Sequence, residues 1–299
     1  MKKILCIGHA SYDVTIPVNG YPEENSKNRF ENKIECGGGP ASNAAYLLSK
    51  WGMDTSFIGV LGDDLYGKRI IEEFKEVKVN TDLVEIDPKY ETTLSFIVVN
   101  TNNGSRTTFT HRDLEMKLKK ELNIKADVIL VDGQELEASI KAIKDNPDAV
   151  SIIDAGSLKE ETIELSKIVN YLVCSKNFAE DFCNIKIDLK DPNSVINVYQ
   201  KMEETFKNEL IITLEDKGCL YKKDNKIKLM PSIKVKPIDS TGAGDLFHGA
   251  FVYCIANGYD IEKTLKISNI TGALSVTRMG GRYSVHTLDE VMKVYNQNA

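Results

Sequence analysis

The residues of this sequence that are best suited to chemistry form one glycine-rich heptad, Asp-Ser-Thr-Gly-Ala-Gly-Asp at positions 239–245. An apolar segment, 246–255, follows it and is predicted as a helix. The glycines let the backbone bend, so the N–H groups of Gly242, Ala243 and Gly244 point out of the helix N-terminus, where unpaired donors and the helix dipole favour an anion. Asp245 beside such an anion hole suits phosphoryl transfer, because it can take the acceptor's proton. For an isolated G-x-G-D, an aspartate that only caps the helix would be the better interpretation.

A second polar group is predicted at the end of the first strand. Residues 4–7 form an apolar run ended by Gly8, which is typical of a strand buried on both faces of a parallel sheet. Residues 9–13 then lie where open α/β sheets place ligands. Further along, three glycines (37–39) precede Pro40, which suits the first turn of the next predicted helix, 44–51. This stretch fits neither the dinucleotide fingerprint nor the phosphate-binding loop pattern.

An amide and a carboxylate follow a later predicted strand, 171–174. Asn177 and Glu180 lie one helical turn apart on the same face. Both carry the hard oxygen atoms that Mg²⁺ prefers, usually through water. The alternative is that Asn177 caps the helix and Glu180 completes a capping box.

The elements that must position these residues alternate between apolar strands and helical patterns. Strands near 57–58, 128–131, 150–153, 171–174 and 210–214 predict βα units, and hence an α/β fold with a mainly parallel central sheet flanked by helices. Two β-prone stretches interrupt this alternation, and the second contains the turn signal Asn102-Asn103-Gly104. We predict a β lid (14–36 and 92–113) inserted in an α/β domain (1–13, 37–91 and 114–299).

Composition excludes several classes of partner. The 299 residues carry a net charge of -6, so the sequence lacks the excess of positive charge that is typical of nucleic-acid-binding proteins. No apolar run approaches the length that is needed to span a membrane. The six cysteines form no C-x-x-C pair and several lie in apolar runs, so they are predicted to be buried thiols of a reducing compartment. We therefore expect a cytoplasmic protein without nucleic-acid or membrane partners.

Taken together, the motifs resemble the signatures of the ribokinase-like (PfkB-type) carbohydrate kinases. The heptad, the Gly38-Gly39…Asn43 spacing, the N-x-x-E pattern at 177–180 and the Thr213…Gly218 stretch occur in the family's order, and the resemblance spans residues 8–284. It implies a ribokinase-like fold and ATP-dependent phosphorylation of a hydroxymethyl group of a small sugar. Asp245 would be the base, the 242–244 amides would stabilise the transferred group, and Mg²⁺ would bridge the phosphates.

The resemblance also assigns contacts to individual residues. Glu215 stands where the family usually has a glycine, which weakens the backbone contact expected there. The remaining assignments comprise the sugar site (Ser11, Asp13, Gly38, Gly39, Asn43, Phe96, Arg106 and Asp245), the nucleotide site (Asn177, Thr213, Glu215, Gly218, Gly244 and Asn269), the Mg²⁺ waters (Asn177 and Glu180) and a K⁺ loop (Asp239, Thr241, Ser275, Arg278, Gly280 and Ser284). A hydrated loop is an equal alternative for the last group.

The acceptor stays open at this stage. Gly133 lies where ribokinases tend to carry a sugar-binding glutamate, which argues against ribose, and residues 103–107 resemble a stretch of ketohexokinases. A nucleoside kinase, a kinase of phosphorylated sugars and a catalytically idle sugar or nucleotide sensor are the alternatives. Because the two lid strands 94–99 and 106–110 carry apolar residues on both faces, we predict a symmetric homodimer through the lids. A charge at Ile97 or Val99, or at Phe96 if the faces are reversed, should then give monomers.

Overall fold

A central eight-stranded sheet organises the computed structural model, which describes residues 1–120 and 123–298. Its strands are β1 (Lys3–Ile7), β4 (Asp54–Ile58), β9 (Val128–Val131), β10 (Val150–Ala155), β11 (Tyr171–Ser175), β12 (Glu209–Thr213), β13 (Cys219–Lys223) and β14 (Lys226–Met230). They lie in the order β14-β13-β12-β11-β10-β9-β1-β4. The pairs from β4 to β12 are parallel, and the hairpin β13–β14 is antiparallel at one edge. The predicted, mainly parallel sheet is thus confirmed.

Helices cover both faces of this sheet. They are α1 (Pro40–Lys50), α2 (Leu65–Val77), α3 (Leu136–Asp145), α4 (Glu160–Ser166), α5 (Lys176–Cys183), α6 (Pro192–Thr205), α7 (Ala243–Ala256), α8 (Ile261–Ser275) and α9 (Leu288–Gln297). Cys6 of β1 belongs to the apolar core on the side of α1, α2, α7 and α8, whereas Leu5 belongs to the core on the side of α3 to α6. This alternation is why the strands are continuous apolar runs, since side chains on both faces are buried.

A second sheet of four strands forms the lid region. It contains β2 (Ser11–Val18), β3 (Ile34–Gly38), β7 (Leu94–Asn100) and β8 (Ser105–His111), in the order β3-β2-β7-β8. A short pair, β5 (Val60–Leu61) with β6 (Glu85–Ile86), lies apart from it. The strands extend past the predicted lid boundaries at 14 and 36, so Ser11, Asp13 and Gly38 belong to this sheet. The division of the chain into a domain and a lid itself stays a prediction.

The two faces of the small sheet differ sharply in exposure. Asp13 pairs with Ser95 and Thr15 with Ile97, which places them on one face by alternation. Ile97 is 3% exposed, whereas Phe96 on the other face is 44% exposed, and its cross-strand partner Phe109 is 63% exposed. A charge at Ile97 or at the equally buried Val99 would therefore disturb the chain's own interior, and Phe96 is the correct position for testing assembly.

All six cysteines are buried free thiols, as predicted. Burial raises the pKa of Cys36, beside the triple glycine, to about 12, so this thiol stays protonated. Within the described ranges, the helices are all too short or too polar to cross a bilayer.

Candidate active site

The heptad forms the N-terminus of α7, as its sequence predicts. Gly242 is the N-cap residue with φ of 76°, a left-handed conformation that favours glycine, and no side chain caps the helix. Ala243 N–H makes a long, 3.4 Å contact with the carbonyl of Ser240. A Cβ atom added at Gly244 would meet nothing within 4 Å, so open space lies in front of this helix end. An anion can approach there, close to Asp245 in the first turn.

Asn43 joins Asp245 across 202 residues of sequence. The Asn43 Nδ2 donates to Asp245 Oδ2 at 2.7 Å. Asn43 is 1% exposed, and its Oδ1 is buried with no hydrogen-bond partner among the described residues. A buried acceptor without a donor is costly, so this atom fits a ligand hydroxyl that would donate to it. The amide thus holds the carboxylate with one end and offers an acceptor with the other.

Asp13 presents a second carboxylate from strand β2. Ser11 Oγ donates to Asp13 Oδ1 at 2.8 Å, and the residue is 5% exposed. Burial raises the pKa of Asp13 to about 6, the charge of Asp245 adds to this rise, and hydrogen bonds from Ser11 and Ser95 oppose it. Ser95 could not be singled out from sequence, because its place opposite Asp13 depends on the register of two strands that are distant in sequence.

The three glycines of residues 37–39 each make room for a different partner. A Cβ at Gly38 would lie 2.1 Å from Asp13 Oδ2, and one at Gly37 would lie 2.3 Å from the Arg282 guanidinium carbon. Gly39 is the N-cap of α1 with φ of 96°. The repeat therefore lets β3 and α1 close on the candidate sugar site.

Arg282 is a residue that sequence analysis missed. Its side chain is 2% exposed, and it donates to Glu73 Oε2 at 2.7 Å and to Ser42 Oγ at 2.6 Å. Glu73 also accepts from the Gly37 N–H at 2.9 Å. This ion pair, in which Arg282 is buried and Glu73 partly exposed, ties the loop before α9 to α1, α2 and β3, and so holds the glycine repeat in place. The only sequence feature that pointed to Arg282 was its position directly after Gly280-Gly281.

The lid contacts the heptad through Arg106, whose contact with a sugar stays a prediction. Arg106 Nη1 donates to the carbonyl of Ser240 at 2.5 Å and to Ser240 Oγ at 2.9 Å, and the Ser240 N–H donates to the carbonyl of Gly104. Phe96 lies on the face opposite Asp13, because Asp13 pairs with Ser95. The prediction that Phe96 contacts the sugar is therefore wrong for the sugar site of the same chain.

Asp132 supplies a further buried carboxylate near this region. It accepts backbone N–H groups from His9 at 2.8 Å, Ala41 at 3.2 Å and Gln134 at 3.0 Å. Burial raises its pKa, and these hydrogen bonds oppose that rise. The carboxylate fastens the end of β1 to the start of α1, while the neighbouring Gly133 has no side chain to offer a sugar.

Four of the predicted nucleotide residues lie near the β12–β14 edge: Thr213, Glu215, Gly218 and Asn269. Gly218 has φ of 100°, and a Cβ there would lie 2.0 Å from the Met230 carbonyl. Asn269 Nδ2 donates to that same carbonyl at 3.1 Å. Thr213 Oγ1 donates to the Cys174 carbonyl at 3.2 Å, and Glu215 adopts φ of 54°. Glu215 therefore keeps the left-handed turn that a glycine in its place would form with less strain.

The two magnesium candidates, Asn177 and Glu180, differ in exposure and in hydrogen bonding. The helix cap at this point is Ser175, whose Oγ accepts from the Phe178 N–H, so the capping alternative for the exposed Asn177 is wrong. Glu180 is buried and accepts from Lys186 Nζ at 2.7 Å and from the Ile187 N–H at 2.9 Å. Burial raises its pKa, but these two bonds and the charges of Lys176 and Lys186 together lower it below its usual value. Nowhere in residues 1–120 and 123–298 do three His, Cys, Asp or Glu side chains form a metal-binding group.

The candidate K⁺ loop is drawn together by Asp239. This carboxylate accepts from the Thr241 N–H and hydroxyl at 2.8 and 2.6 Å and from the Gly280 N–H at 2.8 Å. Ser284 donates to the Gly280 carbonyl, and the Ser275 carbonyl accepts from the Arg278 N–H. The Arg278 guanidinium turns away to Glu290, so only its carbonyl remains as a cation ligand.

Comparison with known proteins defines the class of this chain. The pfkB family carbohydrate kinase model matches residues 1–288. The chain therefore belongs to the pfkB family of carbohydrate kinases.

Individual relatives span nearly the whole chain. A ribokinase of Bacillus subtilis (strain 168) is 27% identical and covers 97% of this chain and 98% of its own length. A nucleoside kinase of Methanocaldococcus jannaschii is 28% identical, with 98% and 96% covered. The structure of Arabidopsis thaliana ribokinase complexed with ribose and ATP matches with a TM-score of 0.79 at 20% identity and covers 98% of both chains.

Proposed function

We propose that this carbohydrate kinase transfers the γ-phosphoryl group of ATP to a hydroxymethyl group of a small sugar of the ribose, fructose or ketohexose class. The observation that carries the proposal is the pairing of Asp245 with Asn43 beside an open, uncapped helix N-terminus. A base, an orienting amide and an anion hole are the groups that phosphoryl transfer to an alcohol requires. They also argue against an idle sensor, which would need no base.

On the acceptor side, the sugar would lie between β2, α1 and α7. Asp13 accepts two of its hydroxyls, Asn43 Oδ1 accepts a third, and Asp245 accepts the proton of the reacting hydroxymethyl group. The amides of residues 242–244 donate to the oxygens of the phosphoryl group, where negative charge must be stabilised. Arg106, anchored on Ser240, holds the lid over the site and keeps water from competing with the sugar.

On the donor side, ATP would lie along the edge formed by Thr213, Gly218 and Asn269, with its phosphates towards Gly244. The ribose and ATP in the Arabidopsis ribokinase structure support these two ligands. The exposed Asn177 would hold Mg²⁺ through water, and the metal would supply positive charge beside the phosphates of ATP. The Asp239 loop, with backbone carbonyls from Ser275 to Gly280, is the proposed K⁺ site, and a comparison of rates in K⁺ and Na⁺ tests it.

A nucleoside is the second candidate acceptor, because the Methanocaldococcus nucleoside kinase is as similar to this chain as the Bacillus ribokinase is. Both classes present the same hydroxymethyl group. ATP consumption measured over pentoses, hexoses, ketoses, nucleosides and sugar phosphates separates them, with Asp245→Asn as the blank. Turnover of sugars with no turnover of nucleosides supports the first candidate, and failure of every acceptor contradicts both.

We also propose that the protein is a homodimer through the outer lid face. Phe96 and Phe109 are cross-strand partners and remain exposed on this face, and an exposed apolar sheet face usually has a partner. Like faces close by two-fold symmetry. Light scattering at micromolar concentration tests this: a mass near 33.4 kDa, that of one chain, would contradict the dimer, and Phe96→Glu should shift a dimer to that mass.

A further inference from the structure

A buried histidine lies directly behind the anion hole. His248 is on α7, one turn after the hole-forming Gly244, and its side chain is 4% exposed. Its Nδ1 lies 2.7 Å from the Gly244 carbonyl oxygen and 3.1 Å from Asp154 Oδ2, and its Nε2 lies 3.2 Å from the Val173 carbonyl oxygen. The ring therefore connects the helix N-terminus to the carboxyl ends of two central strands, β10 and β11.

The geometry around His248 favours a ring that donates from both nitrogens. The two carbonyl oxygens of Gly244 and Val173 are acceptors only, so each ring nitrogen that faces one is satisfied only as a donor. A histidine that donates from both nitrogens is an imidazolium ion. Asp154, 6% exposed, stands beside it as the carboxylate that balances its charge. Burial raises the pKa of Asp154, the charges of Asp245 and Asp132 add to the rise, and the His248 charge opposes it.

The first turn of α7 needs such an anchor. It has glycine at the N-cap and at its second residue and lacks a side-chain cap, so little within the turn restricts the directions of its N–H groups. The hole also receives phosphates in a region that already contains Asp245, Asp13, Asp132 and Asp154, where a fixed cation lowers the repulsion. His248 meets both needs, since its contact with Gly244 reaches the residue whose N–H faces the phosphate.

We propose that His248 and Asp154 form a positioning pair, in which the His248 imidazolium holds the Gly244 carbonyl and thereby keeps the anion hole and Asp245 aimed at the phosphoryl group. The pair itself touches neither sugar nor ATP. This inference rests on the proposed kinase function, and it deepens that function by adding a residue that acts through the hole.

Kinetics of three variants test the pair. His248→Phe keeps a ring but removes both donors, and we expect kcat to fall roughly 10–100-fold, the usual cost of losing a group that orients a site. The KM for the sugar should stay within a few-fold, because Asp13 and Asn43 lie on other elements. His248→Asn retains one donor near the Gly244 carbonyl and should recover part of the rate. Asp154→Asn should lower kcat as His248→Phe does.

A matched histidine elsewhere separates positioning from general stability. His286 is also buried, faces the Leu274 carbonyl of α8 at 3.1 Å and lies 3.4 Å from the Glu290 carboxylate of α9, so these contacts do not involve α7. His286→Phe should lower the melting temperature while kcat stays unchanged. If His248→Phe and Asp154→Asn keep wild-type kcat while Asp245→Asn abolishes turnover, the positioning role is wrong and the kinase function stands.

Nitrogen NMR of the wild-type protein tests the charge without any substitution at the site. With ¹⁵N-labelled histidine at neutral pH, both ring nitrogens of His248 should show the shifts of protonated nitrogen. In Asp154→Asn, one of them should lose its proton. A wild-type His248 with one bare nitrogen would overturn the ion pair, even if His248→Phe fails to fold.

Discussion

The sugar side and the nucleotide side of this site use their polar residues in opposite ways. On the sugar side, Asn43 Oδ1 is a buried acceptor with no partner in the described chain, and Asp13 is held by serine hydroxyls with acceptor capacity to spare. On the nucleotide side, Glu180 and Asn269 already accept or donate within the protein. Under the proposed assignments, sugar recognition would depend on preformed side chains, whereas the nucleotide would be bound chiefly by backbone groups and through its own phosphates and metal.

The largest expected effect is the loss of the base that the sugar side presents. Asp245→Asn preserves the shape and the contact with Asn43 but cannot accept a proton. We expect kcat to fall by roughly 10²–10⁴-fold, with the affinities for sugar and ATP kept within a few-fold. Steady-state kinetics with isothermal titration of both ligands measures this. Undiminished turnover would remove Asp245 from the mechanism.

A smaller loss is expected when sugar recognition alone is weakened. Asp13→Asn removes the charge that accepts two hydroxyls, and a hydrogen bond to a charged group contributes about 1.5–3 kcal/mol. The KM for the sugar should therefore rise roughly 10–100-fold, while the KM for ATP stays unchanged. A rise in both constants would contradict the division between the two sides.

The pH dependence of sugar binding tests the role of Asp13 on the sugar side. The pKa of Asp13 is raised to about 6, so Asp13 is ionised above that pH and becomes protonated below it, where it loses acceptor capacity. The KM for the sugar should thus rise as the pH falls below about 6, by up to roughly tenfold per pH unit. Asp13→Asn is the control and should lose this dependence, and a flat profile for the wild type would refute the role of Asp13.

The smallest effect is expected on the nucleotide side. Glu180→Gln should raise the Mg²⁺ concentration for half-maximal rate by at most roughly tenfold, if the carboxylate orders metal-bound water. Lys186→Met breaks the same ion pair without touching the carboxylate, so it should change the free energy of unfolding but not the Mg²⁺ titration. Equal Mg²⁺ curves for Glu180→Gln and the wild type would leave Glu180 with its loop-anchoring role alone.

Much of the site could be predicted because its motifs are local. The heptad and the glycine repeat each encode their own turn and helix start, so the sequence singled out Asp245 and Asn43, whose side chains are hydrogen-bonded in the structure. Ser95, Arg282 and the His248–Asp154 pair could not be found, since their partners are distant in sequence and depend on register and helix packing. Phe96 was misplaced for the same reason: both faces of β7 are apolar, and only the pairing of Asp13 with Ser95 shows which face looks inward.

The fold was the more predictable part. Apolar runs that alternate with helical patterns require a parallel sheet covered on both faces, and the structure has one. Strand β2 begins three residues before the predicted lid boundary at 14, and β3 ends two residues after the one at 36, because the two strands stay paired from Ser11 to Gly38. That continuation carries Ser11 and Asp13 onto the lid sheet, which the local sequence does not reveal.

Identification of the product tests whether the protein phosphorylates a hydroxymethyl group. The acceptor with the highest kcat/KM is converted to completion with ATP, and the phosphorus–proton couplings of the product are read by NMR. We predict one phosphate ester on the oxygen of the hydroxymethyl group, coupled to its two CH₂ protons, and no ester from Asp245→Asn. A phosphate on a ring hydroxyl, or release of free phosphate without an ester, would contradict phosphoryl transfer to a hydroxymethyl group.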